Sequence, residues 1–162
     1  MGNYSDALSY AASFCAASER CTQDVLDKIE RFDLSNEEKK TLIDSLKRNG
    51  FLNEPRFIRA FINDKFRFNK WGRIKLRQTL RQKGINESAI DQELDILDES
   101  LYAETLMQLL KQKLSGLKTG RPFERKGKLY RFALGRGFEP AQITACLKRL
   151  NIGGDEDNSF ME

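Results

Sequence analysis

One register of apolar residues, recurring about every fifty positions, restricts the fold more than any other feature of the sequence. Its anchors are Leu34, Ile85 and Phe138, 51 and 53 residues apart. Nine residues before them stand Val25, Leu76 and Leu129, and five before them Ile29, Leu80 and Ala133. Nine residues after come Ile43, Leu94 and Leu147, and twelve after come Leu46, Leu97 and Leu150. Ile90 and Ile143 agree five positions past the anchor, where the first unit has Lys39, and Gly84 and Gly137 agree just before it, where the first unit has Asp33. A Leu-rich chain yields chance matches, but one register shared over two helices per unit is hard to reach that way. The expected fold is all-α: three tandem three-helix repeats, each burying its apolar face against its neighbours, forming an elongated, curved array. The repeats fall at 1–52, 53–99 and 100–152, and an acidic, flexible tail occupies 153–162.

Local signals agree. The chain has a single Val and abundant Leu, Lys, Arg, Glu, Gln and Ala, which favours helix almost throughout. Helices are expected over about 5–17, 22–32 and 36–49, then from Asn53 and Pro55 onward, then over about 72–83, 86–99, 100–117, 126–134 and 140–150. Ser35 and Glu38 form a capping box, Gly50 and Gly84 stop helices, and Pro55 suits a first turn. Leu101, Leu106, Leu109, Leu110 and Leu114 line the seventh helix. Gly116, Gly120 and Pro122 mark a basic loop, LKTGRPFERKGK.

Several function classes lose their usual residues. Histidine is absent, which removes the commonest general base and metal ligand. No GxxxxGK[ST] loop occurs, nor a GxGxxG following a strand. Cys15, Cys21 and Cys146 show no CxxC pairing and are expected as small buried or half-buried thiols. No apolar run approaches the roughly 20 residues of a membrane span, and the opening MGNYSDALSYAASF lacks the pattern of a signal peptide. The expectation is a cytoplasmic protein, not an enzyme, with no cofactor and no metal.

Charge is distributed in blocks. Ten Lys or Arg and one acid, Asp64, lie between Arg56 and Lys83, so these 28 residues carry +9 while the whole chain carries +4. Residues 84–110 hold no bases and seven acids; residues 111–136 hold nine bases and one acid. Phe57, Phe61, Phe66, Phe68 and Trp71 are interleaved with the central bases. Such a field suits a polyanion or an acidic protein surface, although a solvated helix face is the plainer reading. Arg73, Arg77 and Arg81, at i, i+4 and i+8, make one stripe. Their register equivalents are Thr22, Leu26 and Glu30 in the first unit and Lys126, Tyr130 and Leu134 in the third. The apolar register repeats and the stripe does not. Like charges one turn apart cost a helix about 0.2–0.5 kcal/mol per pair, so folding by itself gives no reason for the stripe.

Over residues 7–150 the chain resembles the RecX family, regulators of the RecA recombinase. The resemblance rests on GFLNEPRFIRAFINDKFRFNKWG (50–72), on GRIKLRQTLRQKGI (72–85) and on GRGF (135–138), combined with the three-unit repeat. The first unit is the poorest match, because its second helix mixes Asp24, Asp27 and Glu30 with its bases. The resemblance implies a protein that binds the RecA–DNA filament, lies in its helical groove, and limits extension or promotes disassembly without catalysis of its own. Its partners would be the RecA filament and DNA, single- or double-stranded and independent of sequence, with no membrane involved and the protein a monomer. On that reading Arg73, Lys75, Arg77 and Arg81, with Lys70 and Trp71, form the main contact. Arg56, Arg59 and Arg67 are secondary, and Lys126, Lys128 and Arg131 extend the contact into the third unit. Phe57, Phe61, Leu76 and Leu80 are assigned to the core; Trp71 either packs or stacks on a partner. Two alternatives stay open: a sequence-independent DNA-binding module acting directly on DNA, and a scaffold whose charges bind nothing.

Overall fold

The computed structural model describes residues 3–150 and residue 152, and every element among them is an α-helix. In order these are α1 (Asn3–Ala17), α2 (Thr22–Lys28), α3 (Asn36–Arg48), α4 (Glu54–Asn69), α5 (Arg73–Gln82), α6 (Glu87–Leu94), α7 (Glu99–Ser115), α8 (Pro122–Gly135) and α9 (Pro140–Arg149). The acidic tail expected at 153–162 lies outside the described residues.

Helix starts and stops follow their caps. The Ser35 hydroxyl accepts from the Glu38 N–H at 3.1 Å, and the Glu38 carboxylate accepts from the Ser35 N–H at 2.9 Å, closing the capping box of α3. Asn53, Asn86 and Asp98 accept first-turn N–H groups of α4, α6 and α7 at 2.8, 2.8 and 3.0 Å. Helix α8 begins at Pro122, four residues before the expected start, because Pro122 occupies a first-turn position where no N–H is needed, as Pro140 does in α9. Part of the expected basic loop is therefore helix.

The repeat register has a backbone cause. Ile85 N–H reaches back to the Leu80 carbonyl (3.3 Å) and Phe138 N–H to the Ala133 carbonyl (3.2 Å), each just after a left-handed glycine, Gly84 (φ 82°) or Gly137 (φ 94°). These are six-to-one bonds of the kind that close a helix on a left-handed residue, so each anchor is the residue that folds back over the helix it ends. The first unit has Asp33 in place of glycine, and no left-handed residue there. It ends its helix differently, with α2 stopping at Lys28 rather than Phe32 and Phe32 N–H bonding the Ile29 carbonyl at 2.9 Å.

The described residues divide into two units, one running up to Asn63 and adding Leu80–Glu93, the other Asp64–Thr79 with Leu94 onward. Helices α4 and α5 thus contribute to both. In the first unit α1, α2 and α3 pack together around Ala7, Ala11, Val25, Ile29, Leu42 and Leu46. In the second, α7, α8 and α9 close around Tyr102, Leu106, Leu110, Leu129, Ala133, Phe138 and Ile143, and Phe66 of α4 joins that core. Every first-rank register position is buried: Val25, Leu76 and Leu129, and likewise Ile29, Leu80 and Ala133. Burying each large aliphatic chain contributes about 1.5–3 kcal/mol, so the register stabilises the fold directly. One expected core residue, Leu101, is half exposed. Tyr102 takes its place, since Tyr102, Leu106, Leu109 and Leu110 fall on one face at i, i+4, i+7 and i+8. Cys15, Cys21 and Cys146 are buried and unpaired, and burial pushes all three thiols up from their ordinary range.

Candidate functional site

Within the second unit, the basic block is fixed where α5 begins. A helix start leaves its first N–H groups without internal partners, and here they find them on neighbouring elements. Gly72 N–H donates to the Arg136 carbonyl at 2.7 Å and Ile74 N–H to the Gly137 carbonyl at 2.9 Å. Between them, Arg73 N–H donates to the Tyr102 hydroxyl at 2.9 Å. The positive end of α5 is thereby set against the carbonyl end of α8, a favourable head-to-tail arrangement of helix dipoles. The approach is so close that a Cβ on Gly72 would collide with the Gly137 carbonyl, and a Cβ on Gly137 with Lys75. The Arg136 guanidinium donates at 2.6 Å to the Asn69 carbonyl at the end of α4.

The Arg73 side chain, only 13% exposed, is held by two carboxylates: Glu139 at 2.9 Å and Glu99 at 2.6 Å. Its guanidinium lies 3.8 Å from the centre of the Tyr102 ring. The Tyr102 hydroxyl in turn donates to the other Glu139 oxygen at 2.5 Å. Residues 73, 102 and 139 therefore close a ring of hydrogen bonds in which each polar group is satisfied. Burial and the Glu139 carboxylate push the Tyr102 hydroxyl well up from its usual range. Burial alone would raise the Glu139 carboxyl, but the hydrogen bonds from Tyr102 and Arg73 outweigh it and hold the group below the usual carboxylate range. Burial would likewise weaken protonation of Arg73, and its two carboxylates reverse that.

The other predicted residues are placed as follows. Lys75 and Lys65 bring their ammonium groups to 4.6 and 5.2 Å from the Trp71 ring centre, and Trp71 is half-buried. Arg77 is half-buried, while Arg81 is exposed with Glu87 at 3.8 Å, so the stripe runs from inside to outside along α5. In the first unit Arg56 pairs with Glu19 at 2.7 Å and donates to the Gly50 carbonyl at 2.9 Å, and Arg59 takes Glu93 with both ends at 2.9 and 3.3 Å. Lys70 is left-handed (φ 56°) and its ammonium donates to the Arg67 carbonyl at 2.6 Å, closing α4. Arg67 is exposed, 5.6 Å from the Phe68 ring centre. Lys126 is half-buried on α8, and Lys128 and Arg131 are exposed there. Arg67, Lys70, Trp71, Arg73, Lys75, Arg77, Lys126, Lys128 and Arg131 thus belong to the second unit, and Arg56, Arg59 and Arg81 to the first.

Sequence reasoning did not single out Glu99, Tyr102, Arg136 or Glu139. A signal existed for two of them: Tyr102 shares the face of Leu106 and Leu110, and Glu139 precedes a first-turn proline yet leaves its own helix start uncapped by its side chain. Among the described residues no group of three Cys, Asp or Glu side chains is arranged to hold a metal ion. No helix among them is long and apolar enough to cross a membrane.

Three-helix segments repeated in one register, two of them with matching turns at left-handed glycines and one carrying a cationic segment, define a tandem three-helix repeat protein. The model of the second three-helix domain of RecX matches residues 53–94, and that of the third matches 101–147. The chain belongs to the RecX family. It is 26% identical over 140 residues to the regulatory protein RecX of Streptococcus gordonii, covering 86% of this chain and 54% of that one. With the regulatory protein RecX of Chlorobium phaeobacteroides it shares 28% over 144 residues, 89% of this chain and 93% of the other. It thus spans little more than half of the streptococcal protein but nearly all of the Chlorobium one. The crystal structure of RecX from Lactobacillus salivarius superposes with a TM-score of 0.83 at 17% identity, over 91% of this chain and 96% of that one. That likeness establishes the fold.

Proposed function

We propose that the protein regulates the RecA recombinase by binding the RecA–DNA filament and limiting its extension or promoting its disassembly. It does so as a cytoplasmic monomer, without catalysis of its own. The observation that carries this reading is that the +9 block lies entirely within the segment matched by the second RecX domain, 53–94. The repeats divide at 52/53 and 99/100, and the contact surface belongs to the second and third. Arg67, Lys70, Lys75, Arg77 and Arg81 make the main contact with Trp71, Arg56 and Arg59 are secondary, and Lys126, Lys128 and Arg131 take part from the third repeat. Arg73 serves chiefly by fixing the start of α5.

The test is ATP hydrolysis by RecA filaments with increasing amounts of the protein. Wild type should inhibit, and a variant with Lys70, Lys75 and Arg81 changed to Glu should inhibit at least tenfold less effectively at equal folded concentration. A wild-type protein without effect on the filament ends the functional reading. Equal inhibition by both proteins moves the contact elsewhere and leaves the function standing.

A further inference from the structure

The two most exposed large apolar side chains among the described residues are Phe123, 82% exposed, and Phe68, 74% exposed. Single exposed apolar residues are ordinary, but these two share three features. Both are aromatic, both belong to the second unit, and both sit inside the basic blocks. The other exposed large apolar residues among those described are less exposed: Ile96 and Leu101 fall in the acidic segment 84–110, Phe51 precedes the central basic block, and Leu134 lies in the basic block of α8.

The surroundings of each ring are cationic. Phe123 stands in the first turn of α8 with Arg121 two residues before it and Arg125 two after, and Lys118 and Lys128 are exposed nearby in sequence. The acid of this block, Glu124, meets Arg121 at 3.3 Å with both side chains on the surface, a pairing weak enough for a phosphate to replace. Arg125 Nε is buried without a hydrogen-bond acceptor among the described residues. Phe68 lies in the last turn of α4, with Arg67 over its ring at 5.6 Å and Lys70 beyond. Neither ring takes part in a core cluster.

We infer that Phe68 and Phe123 are base-stacking platforms for single-stranded nucleic acid, with Arg67 and Lys70 beside one ring and Lys118, Arg121 and Arg125 beside the other neutralising the backbone phosphates. The chemistry selects single strands. A stacked duplex hides its base faces, whereas an unpaired strand offers one at every nucleotide to an aromatic ring. Cations alone would bind both forms by releasing counterions; the aromatic rings supply the distinction. This places a direct strand contact beside the filament contact proposed above and does not rest on it.

The experiment measures binding of the intact protein, without RecA, to a fluorescein-labelled 20-mer of dT and to a hairpin duplex of equal charge. Wild type should prefer the single strand. Phe68→Ala and Phe123→Ala should each weaken single-strand binding by about fivefold to a hundredfold, leaving duplex affinity and the salt slope for the strand unchanged. Phe123→Trp should restore affinity, its indole fluorescence quenched as the oligonucleotide binds. Because both rings are exposed, the alanine variants should melt at the wild-type temperature, which separates loss of stacking from loss of fold. Alanine variants that bind the strand as tightly as wild type overturn the inference, and so does an equal loss for strand and duplex. If Phe123→Ala spares strand binding but weakens binding of RecA free of DNA, the ring is a protein contact and the inference fails. Loss of strand preference would leave filament inhibition open, and loss of filament inhibition would leave the stacking result intact.

Discussion

The central basic block and the basic block of the third repeat look alike in sequence and are used differently. In the central block the cations turn to carboxylates: Arg56 to Glu19, Arg59 to Glu93, Arg73 to Glu99 and Glu139, Arg81 to Glu87, and Lys83 to Asp24. In the third block Arg121 pairs with Glu124, one turn apart on the surface. No carboxylate among the described residues lies within 4 Å of Lys118, Arg125, Lys128 or Arg131. Density of positive charge is therefore a poor guide to which block faces a partner. The central block is the more basic, yet a good part of its charge holds this protein's own helices in place. Asp24 shows how this works in the first unit. Burial would raise its carboxyl, but hydrogen bonding to Cys21 and the Lys83 ammonium bring it below its usual range.

The contrast can be broken most severely at the backbone that positions Arg73. Gly137→Ala drives a Cβ into Lys75 from a left-handed backbone, and should cost about 3 kcal/mol of unfolding free energy in urea titrations. Its register counterpart Gly84 is equally left-handed but opens onto empty space. Gly84→Ala should therefore cost only about 1 kcal/mol. Equal losses at the two glycines would mean that the contact between the α5 start and the α8 end carries no energy.

Next comes the arginine itself. Arg73→Ala leaves the Glu139 carboxylate and the Tyr102 hydroxyl short of partners, and should lower stability by about 2–3 kcal/mol. In a chain of this length that is a melting temperature lower by about 6 °C. Lys128→Ala together with Arg131→Ala should stay within about 0.5 kcal/mol of wild type. If the third-block pair proves as costly as Arg73, the division of labour between the blocks is wrong.

Smaller effects sharpen the picture. Tyr102→Phe keeps the buried ring and removes one hydroxyl that both donates and accepts, costing about 1–2 kcal/mol by calorimetry. The Glu139 carboxyl, held below its ordinary value of 4.5 in the folded state, contributes stability that is fully present above that value. The contribution disappears as pH falls through the lowered folded value. Glu139→Gln should accordingly flatten the acid side of the stability profile below about pH 4.5 while leaving the neutral side parallel to wild type. An unchanged acid limb would show that Glu139 titrates alike in both states.

What the sequence could reveal divides along the range of the interactions. The repeat register was legible because it is local: apolar residues five and nine positions before an anchor, preceded in the second and third units by a glycine whose turn bonds back to the same helix. All its leading positions are buried, and the two comparisons by domain cover the second and third repeats. The start of α8 was misread because Gly120 and Pro122 resemble loop residues, although proline at a first turn and Gly127 within a helix are both tolerated. The Arg73 network was not legible. Its partners are 26 and 66 positions away, and nothing in the spacing of like charges says which of three arginines will turn inward. Arg73 does so because it is the first residue of α5, next to Gly72, where the chain touches α8.

That touch has an evolutionary consequence. Where two side chains collide, a lineage can enlarge one and trim the other, and the contact drifts in composition while keeping its fit. At Gly72 the obstructing atoms are the Gly137 carbonyl and the Phe138 backbone nitrogen, and at Gly137 they include the backbone of Lys75. Main chain cannot be trimmed by any substitution. Neither glycine has a compensating partner, and the two should be retained together or lost together with the joint they form, however far the charged surface around them diverges.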